Sequence, residues 1–201
     1  MKCIPDEKQK PVINAAISTF AAKGYRKASM NDIALSAGIS KSMVFHYFGS
    51  KRELYLFLLE YCGERLAKAM DCVQGSGVAD FFDTIMDAAK AKLLLMKEYP
   101  SILFFLSSAF NERDTEVEKE VKELVAKNMR LSGHFVLEST YAEKFKPGID
   151  ISLVFKILMY FTEGYLSRAP VKNSSDIGCM IDELDACMNL MRNNFYKETC
   201  I

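Results

Sequence analysis

Four polar side chains lie within a seven-residue stretch: Lys41, Ser42, His46 and Tyr47. Each carries a hydrogen-bond donor, and donors of these types can reach base edges or phosphate oxygens. Helical spacing puts them outward on a short helix whose underside is expected to be Val44 and Phe48. A helix that enters the major groove needs that division, a packed back and a polar front. Other uses stay open at this level. His46 could be a solvated or packed histidine, Tyr47 could pack against a neighbouring helix, and Lys41 could be an ordinary surface lysine. As a metal ligand His46 has no partners at suitable spacing.

The elements that must hold these residues are legible around them. Ser29 can cap a helix over Met30–Ala37, with Asp32 three residues on, and Gly38 stops it. Ser40 caps a second short helix that runs to Phe48, and Gly49 breaks that one. Ser50-Lys51-Arg52-Glu53 reads as a capping box opening a long helix to about Cys72. It sets Lys51 at a helix N-terminus, where the dipole and the cation both favour a phosphate. Upstream, Ile13, Ile17 and Phe20 make the apolar stripe of a first helix ending near Lys23-Gly24. Its start is either Asp6, with a distorted first turn, or the neighbourhood of Pro11.

Beyond Gln74-Gly75-Ser76-Gly77 helical spacing continues at about 78–97, 100–110, 115–140, 150–168 and 174–197. The expected fold is all-α, about nine helices. The expected division is a helix-turn-helix DNA-binding domain at 1–50 and a larger helical domain at 51–201. Charge divides in a similar way. The 201 residues carry 26 cations and 26 anions, yet the first 55 hold nine cations against four anions. A basic first quarter on an acidic remainder points to two jobs, one of them facing a polyanion.

Several classes are excluded. No nucleophile–base signature, Gly-rich phosphate loop or Cys-x-x-Cys pair occurs, so neither an enzyme nor a metal or other cofactor is expected. The six cysteines read as reduced, mostly buried thiols of a cytoplasmic protein, because residues 1–20 lack a secretory apolar core. The apolar runs 93–110 and 151–162 are interrupted by charge or proline before the ~20 residues a membrane span requires.

At this point a resemblance becomes specific. The residues Asn31-Asp32-Ile33-Ala34, Ala37-Gly38-Ile39-Ser40-Lys41, Phe45-His46-Tyr47-Phe48-Gly49-Ser50-Lys51 and Leu54, in that order, resemble the TetR family of bacterial transcriptional regulators over roughly residues 10–58. The resemblance implies that Ser29 and Ser40 sit at the DNA surface and that Lys41 and Ser42 reach base edges. It implies that His46, Tyr47 and Lys51 contact phosphates. Phe45 departs from a tyrosine common in the family and cannot donate a hydrogen bond. The resemblance further implies a homodimer through the helices at about 150–168 and 174–197, bound to a palindromic double-stranded operator. Repression relieved by a small effector is the expected activity; the alternative is a helical small-molecule binder without DNA function.

The aromatic and methionine content of the second part suits an apolar effector pocket. Its candidate lining is Phe82, Met86, Phe104, Phe105, Met129, Tyr160 and Glu163, although an ordinary helical core would use the same residue types. Glu163 interrupts the apolar run Leu158–Leu166. It could meet a cationic ligand, pair with Lys156 or face solvent.

Overall fold

Apolar residues recur at three- and four-residue spacing through most of the chain, and the elements they form are helices. The computed structural model describes residues 6–74, 80–126, 142–166 and 174–200. In order these are α1 (Asp6–Lys27), α2 (Met30–Ala37), α3 (Lys41–Phe48), α4 (Lys51–Gln74), α5 (Phe81–Glu98) and α6 (Ile102–Phe110). Then come α7, helical over 118–126, α8 (Ile151–Leu166) and α9 (Ser174–Phe195). Among the described residues the one extended pairing is an isolated bridge between Phe145 and Tyr196. The fold is all-α with a helix-turn-helix in its N-terminal part. No single described helix is long and apolar enough to cross a membrane.

The start of α1 resolves in favour of Asp6, with Pro11 carried inside the helix. Regular geometry is interrupted at Gly24, whose backbone sits at φ 69°, ψ 173°. The helix proper therefore stops at the glycine.

The chain folds as two compact units. One comprises residues 1–66 and 98–129, the other 67–97 and 130–201. The first thus keeps the opening turns of α4 together with the N-terminal helices, beyond the division expected at residue 50. The physical reason is the core: Leu54, Tyr55 and Leu58 of α4 are buried in the unit that also buries Ile13, Ile17 and Phe20 of α1, Ile33 of α2 and Val44 of α3. Four rings hold its centre. Tyr55 meets Phe20 edge-on at 4.9 Å, Tyr25 at 5.0 Å and Phe105 at 5.4 Å. Each such ring is worth about 1.5–3 kcal/mol on burial. The rim is polar: Arg52 pairs with Glu120 and donates from Nε to the Glu116 carbonyl at 3.0 Å, tying α4 to the α7 region.

The second unit is organised around Asp80, a carboxylate only 8% exposed. Its Oδ1 accepts from the Phe82 and Asp83 amides at 3.0 and 3.3 Å and so caps α5. Oδ1 also accepts from Arg192 at 3.2 Å, while Oδ2 accepts from Lys144 Nζ at 3.0 Å and from the Tyr196 hydroxyl at 2.9 Å. Over this network lie the rings of Phe81, Phe82, Phe145 and Tyr196, neighbours at 4.8–6.0 Å. Of the cysteines whose side chains are described, Cys62 is buried, Cys187 half-buried and Cys179 exposed. The expectation of mostly buried thiols therefore fails at Cys179. Burial pushes the Cys62 thiol up to about 12, which leaves it inert as a nucleophile.

Candidate nucleic-acid interface

The turn between α2 and α3 is fixed from both sides. Ser29 caps α2: its hydroxyl oxygen accepts from the Asp32 amide at 3.1 Å, and its hydroxyl donates to the Asp32 carboxylate at 2.8 Å. Lys23 closes on the same carboxylate at 3.0 Å. Lys23 first, and then Ser29, hold the Asp32 carboxyl below the usual range. At the other end Gly38 adopts φ 65°, ψ 29°. Its amide reaches the Leu35 carbonyl at 3.2 Å, and the Ile39 amide reaches Ala34 at 3.0 Å. This is the Schellman pattern, which requires a left-handed residue. A Cβ at position 38 would meet nothing within 4 Å, so Gly38→Ala would cost conformation and not space. We expect about 1–2 kcal/mol of destabilisation in thermal melting, with Gly38→Asn losing less.

α3 follows at once. The Ser40 hydroxyl oxygen accepts from the Met43 amide at 3.3 Å and pairs with the Ser42 hydroxyl at 2.9 Å. The buried side is Val44, Tyr47 and Phe48, the i, i+3, i+4 stripe of a short helix. Tyr47 is therefore a correction. Expected as an outward donor, its ring is only 8% exposed, because position 47 falls on the stripe facing the core. The exposed side is Lys41, Ser42, Phe45 and His46. Phe45 was not among the residues expected there. The signal lay in spacing: 41 and 45, like 42 and 46, are one turn apart and share a face. The Lys41 ammonium stands 5.8 Å from the Phe45 ring centre.

Lys51 opens α4 through a reciprocal capping box. The Glu53 amide donates to the Ser50 hydroxyl at 3.1 Å, and the Ser50 amide donates to the Glu53 carboxylate at 2.8 Å. Its side chain turns back onto α1. Nζ donates to the Tyr25 carbonyl at 3.1 Å and lies 4.3 Å from the centre of the Tyr25 ring. A cation at the end of α1 and over an aromatic face braces that junction. Lys51→Ala should lower thermal stability by about 1 kcal/mol on this account.

The residues expected to line an effector pocket are divided between the two units. Phe105 belongs to the ring core of the first unit and Phe104 is half-buried there. Phe82 and Met86 are core residues of the second unit. Tyr160 is 72% exposed, on the same side of α8 as Leu153 and Ile157, so it lines no enclosed space in the single chain. Met129 and the Glu163 side chain lie outside the described residues. In the first unit an open cleft of about 380 Å³ is lined by Leu56, Phe57, Glu60, Glu120, Glu123 and Leu124, none of them expected. Among the described residues no group of three or more His, Cys, Asp or Glu side chains could hold a metal ion.

Residues 12–57 match the sequence pattern of the bacterial regulatory proteins, tetR family. This N-terminal segment is a TetR-family domain. The transcriptional regulator YuxN of Bacillus subtilis is 29% identical over 147 residues, 70% of this chain and 48% of that protein. The transcriptional activator FasR of Mycolicibacterium smegmatis is 42% identical over 55 residues, 27% of this chain and 25% of FasR. The matched part of this chain thus spans about half or less of these curated relatives. The ketosteroid transcriptional regulator KstR2 of Mycobacterium tuberculosis shares the fold at a TM-score of 0.75, with 98% of each chain covered and 18% identity.

Proposed function

We propose that this chain is a ligand-responsive regulator of transcription that binds a palindromic double-stranded operator as a homodimer, represses there, and lets go when a small apolar effector binds. The observation that carries the reading is α3. Lys41, Ser42 and His46 are exposed, no carboxylate occurs from Ser40 to Gly49, and the buried underside fixes the helix before it meets a groove. Lys41 and Ser42 are assigned to base edges and His46 to phosphate. Ser29 and Ser40, at the N-termini of α2 and α3, sit where backbone amides can meet phosphates, and Lys51, whose Nζ rests at the Tyr25 carbonyl at the end of α1, is also assigned to phosphate.

The exposed apolar side chains of the C-terminal helices support the same reading. Leu153, Ile157 and Tyr160 of α8 follow i, i+4, i+7 spacing and are exposed, as is Leu190 of α9. Large apolar side chains exposed along one side of α8, with Leu190 on α9, suit a self-complementary interface with a second copy. Two copies of α3 would then meet half-sites ~34–36 Å apart, or a multiple of that distance. α4 is continuous and supplies residues to both units, which makes it the natural lever between effector and DNA. A coupling of roughly 1–3 kcal/mol would give 5–150-fold regulation. The name of KstR2 makes ketosteroids a first apolar class to assay.

The test is a mobility shift of the whole chain on duplexes flanking its own gene, at rising salt. We expect saturable binding whose logarithm falls linearly with the logarithm of salt concentration. Lys51→Ala should weaken binding to all duplexes alike and lower that slope by about one. No saturable binding to any flanking duplex, even at low salt, would overturn the reading and leave a helical ligand-binding protein.

A further inference from the structure

We propose that Phe45 reads the methyl group of a thymine in the major groove. The inference rests on the DNA-binding reading and adds a specificity determinant that the donors on α3 do not supply. Phe45 is 42% exposed in the middle of a face otherwise made of Lys41, Ser42 and His46. A phenyl ring left in water forgoes the gain that burial would bring, and the underside of α3 is already filled by Val44, Tyr47 and Phe48. The ring has no donor, so a phosphate or a base acceptor gives it nothing. Among the groups that base pairs present in the major groove, the thymine C5-methyl is the apolar one. Lys41 lies one turn before Phe45 on the same exposed face, with its ammonium 5.8 Å from the ring centre, so the cation and the ring face neighbouring bases together.

The experiment removes the methyl and nothing else. Duplexes bound by the whole wild-type chain are selected from a randomised pool. The recovered sequence is then resynthesised with each thymine in turn replaced by deoxyuridine, which pairs identically. At one thymine per half-site the replacement should weaken wild-type binding about four-fold, the factor that corresponds to about 0.8 kcal/mol for one buried methyl-sized group. Phe45→Ala should bind the thymine and deoxyuridine duplexes equally, and Phe45→Tyr, which keeps the ring, should retain the preference. Because Phe45 is exposed, both variants should melt with the wild type. Wild-type indifference to deoxyuridine at every thymine, or a preference that survives in Phe45→Ala, overturns this proposal while leaving DNA binding intact. Failure to recover any sequence from the pool overturns the DNA-binding reading itself, and this proposal with it.

Discussion

Asp80→Ala is expected to lower the stability of the chain by about 3–5 kcal/mol, read as a fall in the urea midpoint at pH 7. Asp80 holds Lys144, Arg192 and the Tyr196 hydroxyl, and it caps α5 through the Phe82 and Asp83 amides. Removing the carboxylate takes the buried partner from Lys144 and Arg192, leaves Arg192 its pair with Asp83, and uncaps the helix. Asp80→Asn should recover part of the loss, because its amide oxygen can still accept from the α5 amides. The pH dependence has a defined sign. Burial alone would raise the Asp80 carboxyl, but Lys144, Tyr196, the Asp83 amide and Arg192 outweigh it and hold the group below its usual range. A carboxyl lowered in the folded state stabilises above its unfolded pKa of about 3.9 and loses that contribution as pH falls through the folded value. The gap in urea midpoint between wild type and Asp80→Asn should be full at pH 7 and shrink below about pH 4. A gap that stays constant from pH 7 to pH 3 would show that charge pairing at Asp80 contributes nothing.

Lys41→Ala should weaken binding to a selected duplex by about 2–6 kcal/mol per dimer, with little loss on unrelated DNA at low salt. The figure is twice the roughly 1–3 kcal/mol of one side chain paired to the O6 and N7 edge of a guanine, because a two-fold dimer presents the contact twice. The selectivity matters more than the size. A lysine that touched only phosphate would weaken all duplexes alike and flatten the salt slope, which is the behaviour expected of Lys51. Fluorescence anisotropy with selected and scrambled duplexes at two salt concentrations separates the two. Equal losses on both duplexes would move Lys41 from base reading to backbone contact.

The N-terminal helices were legible because local chemistry alone fixes them. Ser29, Gly38, Ser40 and the Ser50–Glu53 box each specify an end of a short helix, and each acts in the structure as its residue type dictates. Which way α3 faces was harder. Tyr47 was expected to face outward with its hydroxyl, yet it is buried while Phe45 is exposed. Periodicity set by Val44 and Phe48 decides the matter, since 44, 47 and 48 lie on one stripe. The Asp80 network was not legible, because its partners are 64, 112 and 116 residues away and no local pattern announces a buried acid. The expected pocket lining was the least legible part. Phe82 and Phe105 are ring-core residues, and core and pocket draw on the same aromatic types.

The central claim is that the exposed face of α3 is the DNA-reading surface. It is tested most directly by parallel selections from one randomised duplex pool, using the wild-type chain and the Lys41→Ala, Ser42→Ala, His46→Ala triple variant. Circular dichroism and melting should first show the same fold in both, because all three side chains are exposed. The wild type should enrich a two-fold symmetric sequence, and the variant should leave the pool as it began. Recovery of the same sequence by the variant would contradict the account.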